Sequence, residues 1–149
     1  METTPEYQRV TDLKQKAGPI TRADRMAFFD MGEISETAVP LPTGELSGTW
    51  IQALVNPLEP GGFSLLGVRY EPNSRVERHR HDVPQIVIVL EGEIRQGRRV
   101  FGPGSGYYTP ADVPYKIVVG PDGARLVEFR ATPLTFRTEW LDKNDEAGS

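Results

Sequence analysis

Glycine and proline recur along the whole chain, and their spacing is the feature that most limits its fold. The 149 residues include 15 glycines and 13 prolines. Turn-forming residues at such short intervals interrupt helices and suit short strands joined by turns. The segments between them predict eight to ten short strands, a pattern typical of a closed barrel. We therefore predict an all-β fold, a double-stranded β-helix or jelly-roll barrel.

The predicted strands are the apolar or alternating segments between these turns. They cover residues 25–29, 49–55, 63–70, 75–81, 85–90, 93–96, 98–101, 107–109, 115–119 and 124–130. Residues 11–16 allow one helical turn, and residues 36–48, with two prolines and two glycines, predict a loop. We expect a flexible N-terminal arm at 1–20, a single barrel domain at 21–140 and a disordered tail at 141–149.

Composition limits the possible partners. The chain has no cysteine, which excludes disulfides and thiolate metal sites. Its net charge of -4 does not attract nucleic acid. The longest apolar run, Ile86 to Leu90, is far too short to cross a bilayer, and the polar N-terminus lacks a signal-peptide pattern. We expect a cytoplasmic protein with no membrane or nucleic-acid partner.

The two histidines of the chain, His79 and His81, form the main candidate site. Side chains alternate across a strand, so both imidazoles share one face and Arg78 and Arg80 the other. Two imidazoles about 7 Å apart can both reach one cation with bonds of about 2.0–2.1 Å. Because arginines prefer water, we expect the imidazoles to face the barrel interior. The alternative is a solvated edge of an arginine-rich strand.

Two sequence motifs resemble those of the cupins. His79-Arg80-His81, three residues, Gln85, six residues and Gly92 have the spacing of the first cupin motif, except that Gln85 replaces a glutamate. Gly104 and Pro110 match the second motif, in which Asp112 replaces a glycine and Tyr115 a histidine. The resemblance covers residues 63–129, the whole predicted barrel.

The resemblance implies a jelly-roll barrel with a divalent metal (iron, manganese, nickel or zinc) in its mouth. Carried over residue by residue, the ligands are His79, His81, Gln85 and Tyr115. Gln85 brings no charge, and its alternative role is a hydrogen-bonding remnant in a metal-free barrel. Tyr115 has three possible roles: a phenolate ligand, a general acid or base, or an aromatic that fills space. Glu77 shares the parity of the histidines and is a weaker candidate ligand, whereas Glu128 is expected at the surface.

The resemblance also implies a function. The leading hypothesis is a metal-dependent enzyme that acts on a small organic substrate, as a dioxygenase or as a non-redox lyase, isomerase or cyclase, with Tyr115 in proton transfer. The alternatives are a non-catalytic barrel that binds or senses a small molecule, possibly without metal, and a structural dimer with a vestigial pocket. A homodimer is expected through one sheet, with Ile86, Ile88 and Leu90 in the contact. The sequence contains no phosphate-binding loop and no serine nucleophile elbow.

Overall fold

The computed structural model describes residues 7–9, 25–55, 62–132 and 137–141. Within these segments the chain forms a 3-10 turn at Met31–Glu33 and ten strands. The strands are β1 (Tyr7–Arg9), β2 (Thr37–Pro40), β3 (Leu46–Val55), β4 (Ser64–Tyr70), β5 (Arg75–His81), β6 (Gln85–Gln96), β7 (Arg99–Phe101), β8 (Gly106–Thr109), β9 (Tyr115–Arg130) and β10 (Arg137–Trp140). No helix in these segments has the length and apolar character needed to span a membrane.

The strands pair antiparallel into one curled sheet in which β6 and β9 run side by side. The first half of β6 and the second half of β9 belong to a layer with β8, β4, β3 and β2. The other halves belong to a layer with β7, β5, β10 and β1. The two long strands therefore join the layers, as a jelly-roll barrel requires, and the predicted all-β fold class is confirmed.

Glycine makes the bend in these two strands possible. The register between β6 and β9 shifts on both sides of Gly92. Gly92 has a φ of 77°, and a Cβ atom there would lie 2.0 Å from the carbonyl oxygen of Gly123. Only glycine combines this left-handed conformation with so close an approach of two backbones. The glycine that ends the first motif is therefore a structural requirement of the barrel.

The core lies between the two layers and consists of side chains that alternate inward along the strands. Val87, Val89, Ile94, Ile117 and Leu126 are almost completely buried there. Their β-branched or bulky side chains suit a pleated surface that is buried on one face. The core does not fill the space between the layers completely, and the candidate site lines the cavity that remains.

Several predicted elements differ from the structure. Residues 25–29 are not a strand; they lead into the 3-10 turn, where Asp30 Oδ1 accepts a hydrogen bond of 2.8 Å from the Gly32 amide. The predicted loop at 36–48 contains β2 and the start of β3. Residues 85–96 and 115–130 each form one strand where two were predicted, because the turn-like glycines bend the strands without ending them.

Three residues of the predicted N-terminal arm are described. Tyr7–Arg9 pairs antiparallel with β10, so these three residues of the predicted flexible arm are part of the sheet. The possible helical turn at 11–16 and all of the predicted tail at 141–149 except Leu141 lie outside the described residues. The strand predicted at 75–81 is confirmed with the same bounds as β5.

Candidate active site

A cavity of about 90 Å³ lies between the two layers of the barrel. This volume is below the roughly 300–1,000 Å³ typical of ligand pockets and suits a small ligand. The lining from β2, β3 and β4 is mainly apolar and is called the apolar wall, and the lining from β5, β9 and β10 carries the polar side chains and is called the polar wall. The apolar wall includes Val39, Ile51, Leu66 and Val68. The polar wall includes His79, His81, Tyr115, Glu128, Arg130 and Thr138.

Strand β5 brings both imidazoles to the cavity. His79 is 3% exposed, and its ring centroid lies 4.9 Å from that of His81. The register between β5 and β9 shifts between Val76 and His79, so Val76 also lines the cavity and Glu77 is exposed. Glu77 therefore does not join the histidines, although its parity predicted that it might.

The hydrogen bonds of the histidines determine which ring nitrogen carries a proton. His79 Nδ1 lies 2.7 Å from the carbonyl oxygen of Glu77, which can only accept, so Nδ1 donates and Nε2 keeps its lone pair. His81 Nδ1 lies 3.3 Å from the Arg137 carbonyl oxygen and 3.1 Å from Thr138 Oγ1. The carbonyl favours the same tautomer for His81, with an unprotonated Nε2.

Both imidazoles are neutral at pH 7. Burial lowers the pKa of His79 to about 4, and the positive charge of Arg130 contributes to the shift. Burial also lowers the pKa of His81 well below its usual value, with further contributions from Arg130 and His79. A neutral imidazole can accept a proton or bind a cation through its free nitrogen.

Tyr115 begins β9 directly opposite His79, and its ring centroid lies 4.4 Å from the His79 ring. The hydroxyl group lies 3.2 Å from His81 Nε2 and accepts a hydrogen bond from Gln85 Nε2. Burial, followed by the negative charge of Glu128, raises the pKa of Tyr115 above its usual value. The side chain is therefore a neutral phenol at pH 7.

Two charged residues that the sequence did not assign to the site complete this wall. Glu128 is 9% exposed and Arg130 is 1% exposed. Arg130 Nη2 lies 3.0 Å from Glu128 Oε1 and also donates to the amide oxygen of Gln85. The prediction that Glu128 lies at the surface is wrong. Its register partners Val87 and Leu66 are buried, so the pairing of the strands, which the sequence did not reveal, determines its face.

The structure brings together all four residues that the resemblance implied as metal ligands, but it does not direct them at one point. The Gln85 oxygen faces the Arg130 guanidinium, and the Gln85 amide nitrogen faces Tyr115. No group of three or more histidine or carboxylate side chains among the described residues is arranged to hold a metal ion. With a buried cation beside it and no free carboxylate, this four-residue set does not fit a divalent metal.

The arrangement of strands is that of known cupin structures. An RmlC-like cupin from Shewanella frigidimarina superposes with a TM-score of 0.59 at 17% identity, covering 71% of this chain and 90% of the other. The chain has the cupin fold. The polyketide cyclase RemF from Streptomyces resistomycificus is similar to this cupin barrel with a TM-score of 0.62 at 23% identity, covering 80% and 89% of the two chains. KdgF from Halomonas sp. is similar with a TM-score of 0.59 at 18% identity, covering 72% and 94%.

The comparisons by sequence give no match. No protein-family model matches the chain, and no curated protein matches it. The identities to these three structures are 17–23%, so the likenesses concern the fold. The fold that the two motifs implied is confirmed, and the function must be argued from the site.

Proposed function

We propose that this cupin is an enzyme that moves a proton on a small organic substrate, as a non-redox isomerase or lyase. The observation that carries the proposal is the contact between the Tyr115 hydroxyl and His81 Nε2, 3.2 Å apart in the cavity wall. A phenol hydrogen-bonded to an unprotonated imidazole nitrogen is a pair that can relay a proton. The apolar wall of the cavity suits the carbon skeleton of the substrate.

The chemistry is a transfer in two steps with no net change in protons. The Tyr115 oxygen takes a proton from a carbon atom next to a substrate carbonyl while its own proton passes to His81 Nε2. The proton then returns to another atom of the substrate, which isomerises it or lets a leaving group depart. Burial disfavours a free phenolate, so Tyr115 gains the substrate proton as it loses its own, and the imidazolium formed at His81 is balanced by the enolate charge of the substrate until the proton returns.

Hydrogen–deuterium exchange tests this proposal without knowledge of the natural substrate. The protein is incubated in D₂O with a panel of small uncharged ketones, hydroxyketones and β-dicarbonyl compounds, and the loss of the α-proton signal is followed by NMR. We expect catalysed exchange of at least one compound, and a roughly 10²–10⁴-fold slower rate for Tyr115→Phe, the range typical of a lost acid–base group. Tyr108→Phe is the matched control, because Tyr108 is 63% exposed.

Two outcomes of this experiment contradict the proposal. Equal exchange by the parent protein and by Tyr115→Phe would remove the tyrosine from the chemistry. No exchange with any compound, together with a raised melting temperature in the presence of some of them, would favour the non-catalytic binding barrel.

A second candidate function, a metal-dependent enzyme, is favoured by the tautomers of the histidines. Histidines that bind metals commonly donate their other ring N–H to a carbonyl, and His79 makes such a bond to Glu77. Iron, manganese, nickel or zinc on His79 and His81 would then need ligands from the substrate or from water. Stoichiometric metal in protein purified without a histidine tag, and none in a His79→Ala, His81→Ala variant, would support this candidate.

A further inference from the structure

We infer that Arg130 is a positioning residue: through Gln85 and Tyr115 it determines which group donates and which accepts in each hydrogen bond of a chain that ends at His81. The inference rests on the proposed function for its catalytic meaning, since it explains why the Tyr115 proton points at His81. The chain of contacts runs from Arg130 to Gln85, from Gln85 to Tyr115 and from Tyr115 to His81. No part of this chain depends on a metal ion.

The guanidinium group of Arg130 determines the direction of the hydrogen bonds, because it has donors and no acceptor. Its contact with Gln85 therefore requires the amide oxygen on that side, and the amide NH₂ group must face Tyr115. The Tyr115 oxygen accepts from this NH₂ group, and its own proton is left for His81 Nε2. At the far end, the Arg137 carbonyl favours the proton on His81 Nδ1, which agrees with this direction.

The position of Arg130 makes this control effective. The side chain is 1% exposed, so water does not compete for its contact with Gln85. Glu128 Oε1 lies 3.0 Å from the same nitrogen, Nη2, and compensates the charge of the guanidinium. A glutamate in place of Gln85, as in the usual first motif, would have no donor for Tyr115. The direction of the chain therefore depends on Gln85 being an amide as well as on Arg130.

NMR of the histidine rings tests the inference. Long-range ¹H–¹⁵N spectra distinguish protonated from unprotonated ring nitrogens, and the chain has only two histidines. For the parent protein at pH 7 we expect the proton of His81 on Nδ1. The double variant Gln85→Glu, Glu128→Gln keeps the charge of the cluster but makes Tyr115 donate to residue 85. We then expect the proton of His81 to move to Nε2, with Thr138 Oγ1 donating to Nδ1.

The controls separate this effect from a general disturbance. Glu128→Gln alone should leave the proton of His81 on Nδ1, and His79, bonded to Glu77, should not change in any variant. If the double variant does not fold, Arg130→Met should give a mixture of His81 tautomers where Arg130→Lys, which keeps a cationic donor, gives one. The inference would be overturned if His81 of the parent protein carried its proton on Nε2. It would also be overturned if the double variant, or Arg130→Met, folded and kept the His81 tautomer of the parent protein. The measurement needs no substrate, so its failure is distinct from failure of the exchange experiment.

Discussion

β5 and the second half of β9 both contribute to the polar wall of the cavity, but they place their charged side chains on opposite faces. In β5 the imidazoles of His79 and His81 point inward, and Arg80 points outward to an ion pair of 2.6 Å with Glu139. The most strongly hydrated groups of this strand are outside, as hydropathy predicts. The alternation of charged and less polar residues was therefore sufficient to orient His79 and His81, although not Glu77, which lies within the register shift.

The second half of β9 has the opposite arrangement, with charged side chains inside and apolar side chains outside. The charged residues Glu128 and Arg130 are buried, whereas Phe129 is 36% exposed and Val127 is half-buried on the outer face. Phe129 lies in register with Ile86 of β6 and Leu65 of β4, so the outer face is an apolar row across three strands. The comparison shows that hydropathy did not orient the second half of β9, whose inner face lines a polar cavity and whose outer face is apolar. A strand between a polar cavity and an apolar outer surface can face either way.

The largest expected effect comes from breaking the buried pair of β9. Glu128→Ala leaves the Arg130 charge buried without its carboxylate, and we expect a loss of about 3–5 kcal/mol in the free energy of unfolding. Glu128→Leu with Arg130→Met removes both charges and should be about as stable as the parent protein. Urea unfolding measures both variants. A loss below about 1 kcal/mol for Glu128→Ala would mean that these side chains are not buried together.

The histidines of β5 should make stability depend on pH. The folded state lowers the pKa of His79 from 6.5 to about 4, so the unfolded chain binds the proton more readily. The stabilisation is complete above pH 6.5 and is lost as the pH falls toward 4, with about 2 kcal/mol lost between pH 7.5 and pH 5. His79→Gln should remove this part of the slope in urea unfolding. An unchanged slope would place the His79 ring in water.

The apolar outer face offers the surface for the homodimer that the resemblance implies. Ile86, Ile88 and Leu90 are 43–46% exposed and face away from Gln85. If a second copy covers them, Ile88→Asp should weaken association by more than roughly tenfold, since a buried aliphatic side chain contributes about 1.5–3 kcal/mol. Sedimentation equilibrium measures the change. A monomeric parent protein would contradict a homodimer through this face.

The smallest expected effect concerns the turn that leads into β9. Asp112 has a φ of 62°, and its amide donates to the His81 carbonyl oxygen at 2.7 Å. The second cupin motif has glycine here, and glycine adopts this conformation without strain. Asp112→Gly should change the free energy of unfolding by at most about 1 kcal/mol, in the stabilising direction, whereas Asp112→Ala should destabilise. Thermal unfolding of the two variants, compared with the parent protein, measures the difference, and the reverse order would contradict it.

The sequence predicted the parts of the fold and the site that local patterns encode. The turns on either side of β5 gave its bounds, and the spacing of His79 and His81 gave half of the polar wall. The course of β9 through Gly120 to Gly123 was not predicted, because those residues are typical of a turn. The contact between Arg130 and Gln85 spans 45 residues of chain and depends on strand pairing that no local pattern shows.

The central claim is that the hydrogen-bonded chain from Arg130 to His81 occupies the place of the metal ligands. The metal content of the protein tests this claim most directly. The protein is purified without a histidine tag, equilibrated with iron(II), manganese, nickel or zinc, and desalted before elemental analysis. Gln85→Glu, Tyr115→His, which restores the ligand types of both motifs, is the positive control and should retain more metal. We predict far less than one metal ion per chain for the parent protein. A full equivalent that His79→Ala, His81→Ala removes would contradict the account.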